Sequence, residues 1–143
     1  MSLIEKYTKN EITLKKLNLL KNLIEGIKIL IPKIIDKRYL FVDISFKHLS
    51  GLSYAFSIED KLSKDILVDV LFIKIRFKNT LSLNEEKNEI IDFILTDAKS
   101  NKILKIKEFK IYIDKARINQ KVKNTIAFFV KEEIDKLAKK QKN

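Results

Sequence analysis

Cysteine and tryptophan are absent from this chain, proline and histidine occur once each, and glycine occurs twice. Each scarcity excludes something. Without cysteine there is no disulfide framework, no cysteine-rich zinc site and no thiol nucleophile. With His48 as the single histidine, catalysis by paired histidines is excluded too. Gly26 falls inside a helical pattern and Gly51 in a turn, so neither a GxGxxG nor a GxxxxGK[ST] phosphate cradle can be written. So little glycine and proline also excludes collagen-like and linker-like chains. Long apolar runs are missing as well. The most apolar window, Leu19 to Ile35, is broken by Lys21, Glu25, Lys28, Pro32 and Lys33, and the opening MSLIEKYTKNE lacks the apolar stretch of an export signal. The expectation is a cytoplasmic protein that engages no membrane.

What is present describes one domain. The 143 residues are 45% apolar and 34% charged, enough to bury one substantial core. We read residues 1–143 as a single domain, with 1–9 and 141–143 as flexible ends. Thirty Lys+Arg against nineteen Asp+Glu give a formal charge of +11 and a pI near 9.7, which suggests attraction to a polyanion. Only Arg38, Arg76 and Arg117 are arginines. Lysine is a hydrated point charge, whereas arginine grips phosphates and guanine edges bidentately, so sequence-specific base readout is disfavoured. The lysine, isoleucine and asparagine bias also fits an AT-rich coding sequence, of a kind common in viruses, plasmids and compact genomes.

The apolar periodicity divides the chain into seven elements. Thr8 with Glu11 has capping-box spacing, Asn10 is a second candidate cap, and Leu17, Leu20, Ile24, Ile27, Ile31 and Ile34 then repeat on one helical stripe. Pro32 predicts an end or kink near Leu30. The stripe is read as a core face, with a dimer seam through Leu17, Leu20, Ile24 and Ile27 as the alternative. After Arg38 the period becomes two. Leu40, Val42, Ile44 and Phe46 predict one buried face, Leu52, Tyr54, Phe56 and Ile58 another, and His48-Leu49-Ser50-Gly51 a hairpin turn between them. From Asp65 to Asn79, Leu67, Leu71, Ile73, Ile75 and Phe77 share a face. Apolar residues on the opposite parity predict that the first half of this strand is covered on both sides.

Thr80 to Asn88 reads as a loop, Ile91, Phe93 and Leu95 as the core face of the next strand, and Asp97 to Asn101 as a turn. In Lys102 to Asp114 the apolar parity changes, which predicts a β-bulge near Lys107-Glu108 or else a strand covered on both faces. Asn119 is placed as the cap of a last helix with the stripe Val122, Ile126, Phe129, Val130, Ile134 and Leu137. The whole predicts an α+β fold: an antiparallel meander of about five strands with an N-terminal and a C-terminal helix packed on it.

Three functions follow from these residues. The leading one is non-enzymatic, sequence-independent nucleic-acid binding through a lysine-rich sheet face: Lys74, Arg76 and Lys78 from one strand, Lys105, Lys107 and Lys110 from another, with Tyr112 or Tyr39 at the margin to stack on bases. No metal or cofactor is expected for it. The second is an oligomeric interaction module, an adaptor, inhibitor or accessory subunit, using the N-terminal apolar stripe. The third is chemical. In IIDFILTDAKSNKILKIKEFKI an acid in one strand, Asp92, is followed after a turn by Glu108-Phe109-Lys110 in the next. This resembles metal-dependent nucleases of the PD-(D/E)xK superfamily, although Ile91 stands where that pattern has proline. The resemblance covers about 20 residues, and it implies that Asp92 and Glu108 hold Mg²⁺ while Lys110 helps activate water.

Overall fold

A computed structural model describes the backbone of residues 3–45, 53–77 and 88–141, and side chains within those stretches from Leu14 to Lys139. Its elements are α1 (Leu3–Ile34), β1 (Tyr39–Asp43), β2 (Ser53–Ser63), β3 (Ile66–Phe77), β4 (Asn88–Asp97), β5 (Ile103–Tyr112) and α2 (Ala116–Gln141). The five strands form one antiparallel sheet in the order β1-β2-β3-β4-β5, so the fold is the α+β meander that the periodicity indicates. Among the described residues, no helix is long and apolar enough to cross a membrane. The turn at 48–51, Lys78 and most of the polar segment after it lie outside the described residues.

Both helices pack on one face of the sheet. From α1 come Leu20, Leu23, Ile24, Ile27 and Ile31. From α2 come Val122, Ile126, Ala127, Val130 and Ile134, all meeting Phe56, Ile58, Ile73, Ile75, Ile91, Phe93 and Leu95 of the strands. Gly26 leaves room for the Lys123 side chain: a methyl group there would sit 2.7 Å from it, and its ammonium donates to Asn22 at 2.8 Å. Leu20, Ile24 and Ile27 are thus consumed by the core of a single chain, and only Leu17 of the proposed seam is exposed.

Several local expectations are corrected. The first helix begins at Leu3, so Thr8 and Asn10 lie within it and not at its cap. Residues 3–7 contain no helix breaker, and the helix continues through them. Pro32 does not end the helix at Leu30, because proline costs only the one bond to the Lys28 carbonyl; the helix closes at Ile34, and Ile35 still donates to the Ile31 carbonyl at 3.2 Å. In β1 the phase is opposite to that expected. Tyr39 is buried and Phe41 stacks on Phe56 at 4.9 Å, while Leu40 is exposed. Aromatic contact area on the helix side outweighs that of the aliphatic side chains opposite.

The first half of β3 is covered on neither side. β1 stops pairing at Tyr39↔Asp60 and β4 at Leu71↔Asp97, so the β2–β3 hairpin overhangs both neighbours and leaves Ile66, Leu67 and Val68 exposed. No bulge occurs at Lys107-Glu108 either. The β4–β5 register runs unbroken from Asn88↔Tyr112 to Leu95↔Lys105 and shifts at the next pair, leaving Leu104 as the extra residue. Ile106 is exposed, so β5 is not the doubly covered strand of the alternative. Asn119 does not cap α2. Its amide oxygen accepts from the Tyr112 N–H at 2.8 Å and its amide nitrogen donates to the Tyr112 carbonyl at 2.6 Å, tying the first turn of the helix to the last residue of β5. The turn after β4 is as expected: Asn101 takes φ 61°, which asparagine tolerates, and Asp97 accepts from the amide and hydroxyl of Ser100.

Candidate functional site

Cross-strand register decides which of the expected site residues meet. Asp92 stands opposite Glu108, and Arg76 stands opposite Asp92, so these three form one row across β3, β4 and β5 on the face away from the helices. Lys110 follows Glu108 by two residues and shares that face, opposite Ile90. The acid-acid-lysine arrangement suggested for metal chemistry is therefore assembled in space. Its first acid is already served, however. Asp92 is only 5% exposed and receives the Arg76 guanidinium at 3.1 Å, which places a fixed positive charge where a cation would bind. Among the described residues no group of three or more His, Asp or Glu side chains is placed to hold a metal ion.

The lysine-rich face is split by the same register. Lys74, Arg76, Lys110 and Tyr112 belong to the outer face. Lys105 stands opposite Leu95 and Lys107 opposite Phe93, both core residues, so these two lysines are on the helix side. Strands β3 and β5 are not neighbours, because β4 lies between them. Outward charges on this face are also mixed, with Glu59, Asp69, Asp92 and Glu108 among the lysines. Tyr39 is in the core and cannot stack on a ligand. Tyr112 is half-buried, with the Lys115 ammonium 4.6 Å from its ring centroid.

A different cluster emerges at the free edge of β5. As the last strand of the sheet, β5 has α2 packed beside it, and the helix presents Phe129 to the two inward lysines. The Lys105 ammonium lies 3.8 Å from the centroid of the Phe129 ring. Lys107 lies 5.5 Å from the same ring and 5.5 Å from Phe109. Phe129 stacks on core Phe93 at 6.1 Å, which fixes its plane, and its neighbour Phe128, at 6.4 Å, is 57% exposed. Among the described residues neither ammonium forms an ion pair; each is held by aromatic faces alone. Such contacts stabilise a cation by about 0.5–1 kcal/mol at an exposed site and do not neutralise it. Two like charges thus converge on one ring and remain available to an external anion.

Charge along the chain is concentrated in the segment that supplies β5 and α2. Residues 98–143 carry fourteen Lys+Arg and five Asp+Glu, a net +9 of the total +11, whereas residues 1–97 carry sixteen and fourteen. Sequence reasoning pooled the cations and then distributed them by strand parity. Counting charge by segment would have pointed at β5 and α2. The pairing of Lys105 and Lys107 with Phe129 had no such signal, because the three residues are brought together only by the packing of the helix on the edge strand.

The interior holds one more charged pair. Lys16, one turn before Leu20 on the stripe of α1, and Glu89, in phase with Ile91 on β4, meet at 3.0 Å with both side chains 1% exposed. The Lys16 ammonium lies against Oε1 of Glu89. Burial pushes the Glu89 carboxyl above its usual value, and the nearby Lys16 opposes that shift. Comparison of the chain with protein-family models, with curated proteins and with solved structures gave no match, so the reading of its function rests on the geometry above.

Proposed function

We propose that the protein binds nucleic acid without sequence preference, along the edge formed by β5 and α2. The observation that carries this reading is the pair Lys105 and Lys107, without ion-pair partners among the described residues, gathered on Phe129 beside exposed Phe128. Phosphates neutralised by lysines release condensed counterions, which makes such binding strong in low salt and weak in high salt. An exposed aromatic ring next to that charge suits the stacking of an unpaired base, so single strands are favoured over duplex. Arg117 is the one arginine of residues 98–143, which leaves no set of bidentate readers and agrees with non-specific contact.

Fluorescence anisotropy of labelled single-stranded and duplex oligonucleotides across a salt series tests it. The Lys105→Ala/Lys107→Ala variant should reduce the slope of log affinity against log salt by about 1.4 on a single strand, at roughly 0.7 per lost phosphate contact. Phe128→Ala should weaken binding by about 1–3 kcal/mol with little change in that slope. Binding that is absent in low salt, or that survives the double variant unchanged, overturns the proposal. A second reading, Mg²⁺-dependent cleavage by Asp92, Glu108 and Lys110, is supported by the direct opposition of Asp92 and Glu108. It predicts Mg²⁺-dependent shortening of the same oligonucleotides that Glu108→Gln abolishes.

A further inference from the structure

The outer face of the sheet has a pattern of its own, independent of the cationic edge. One cross-strand row on it runs Val42, Ser57, Phe72, Thr96, Ile103, and the next runs Ala55, Lys74, Ile94, Ile106. Together they form an apolar band on which no described element packs, and Ile103 and Ile106 are 60% and 62% exposed. An apolar surface of this kind is unfavourable in water unless something covers it. On one side of the band Glu59 and Asp69 stand opposite each other. Within its other margin and beyond it stand Lys74 and Lys110. Among the described residues none of these four charges has an ion-pair partner.

Glu59 and Asp69 at one end of the band, and at the other Lys74, Arg76 and Lys110 outnumbering Asp92 and Glu108, make the face complementary to itself. A two-fold axis lying in the interface and running across the strands reverses the strand direction and keeps the strand order. It lays Ile103 of one copy over Ile106 of its mate and Asp69 over Arg76, with Lys74 in the next row. An axis along the strands would instead put acid over acid. We infer that a second copy of this chain covers the outer face, in a face-to-face sheet stack of two-fold symmetry. In this arrangement β5 lies over β5, so the two cationic edges fall on the same side of the dimer.

Sedimentation velocity on the full chain without nucleic acid, over roughly 1 to 100 µM, should report twice the 16.8 kDa of the monomer. Ile106→Asp alters a side chain already in solvent and should give the monomer mass with an unchanged circular dichroism spectrum. Asp69→Lys, on the overhanging hairpin, should weaken association at least about tenfold, and Lys74→Glu added to it should recover part of the loss. A wild-type chain that stays monomeric at the highest concentration overturns the inference. So does an Ile106→Asp variant that keeps the dimer mass, since the copies would then be meeting elsewhere.

Discussion

The two edges of this sheet are built from similar residues and treat their cations in opposite ways. At β1, Lys28 of the covering helix reaches Asp43 at 3.3 Å, and Arg38 holds buried Asp60 through two bonds of 2.7 and 2.8 Å. At β5, Lys105 and Lys107 also face the covering helix, and what they meet is the ring of Phe129. Even Lys16, inside the core, has a carboxylate at 3.0 Å. The cations at the β1 edge and in the core thus meet carboxylates, and acids become sparse after residue 97. The excess charge thus falls in the last third of the chain, which supplies β5 and α2, and that difference is what the binding proposal rests on.

Four variants sharpen or break the contrast. The largest effect belongs to the interior pair. Glu89→Ala leaves the Lys16 ammonium in the core without that carboxylate and should lower stability by about 3–5 kcal/mol, read from urea unfolding. Replacing both partners, as Lys16→Met/Glu89→Leu, should be neutral or stabilising by up to about 4 kcal/mol. If the single change costs no more than the double one, burial is not what enforces pairing. Next comes the β1 edge. Asp60→Asn removes the charge from a bidentate, buried acceptor and should lower the melting midpoint by on the order of 5 °C. Lys105→Met, at the other edge, should move it far less, because a solvated cation over a ring contributes little. Equal shifts at the two edges would erase the distinction drawn here.

Much of the fold was legible because burial follows period. Ile91, Phe93 and Leu95 alternate, the stripes of both helices repeat at three and four, and these residues, Leu17 excepted, are in the core or packed against it. What escaped was where an element ends relative to its neighbours. The apolar pair of faces at Ile66 to Val68 reads as double coverage in one dimension, and only the lengths of β1 and β4 show that the hairpin overhangs them. Parity likewise assigned Lys105 and Lys107 to the solvent side because they are charged, yet the register opposite Leu95 and Phe93 places them inward, at an edge where their ammonium groups still reach water. Lys16 and Glu89 were hidden for the same reason. Both sit in phase with apolar neighbours, and pattern reading credits a charged residue with exposure unless its partner is known.

The smallest effect distinguishes the edges by acid. At β1, burial raises the Asp43 carboxyl, but the hydroxyl and amide of Ser45 and the ammonium of Lys28 outweigh it and hold the group below its usual 3.8. A carboxyl depressed in the folded state is protonated first in the unfolded one, so its stabilisation is complete above the unfolded value and is lost as pH falls through the folded value. The stability difference between the wild type and Asp43→Asn should therefore be constant at neutral pH and shrink once pH drops below about 4. Lys105→Met should show no such change, because among the described residues that ammonium has no ion-pair partner. Unfolding midpoints for the two variants along one acid series thus compare the edges directly. A pH-independent offset at Asp43 would mean that its contacts with Lys28 and Ser45 are not what holds the β1 edge.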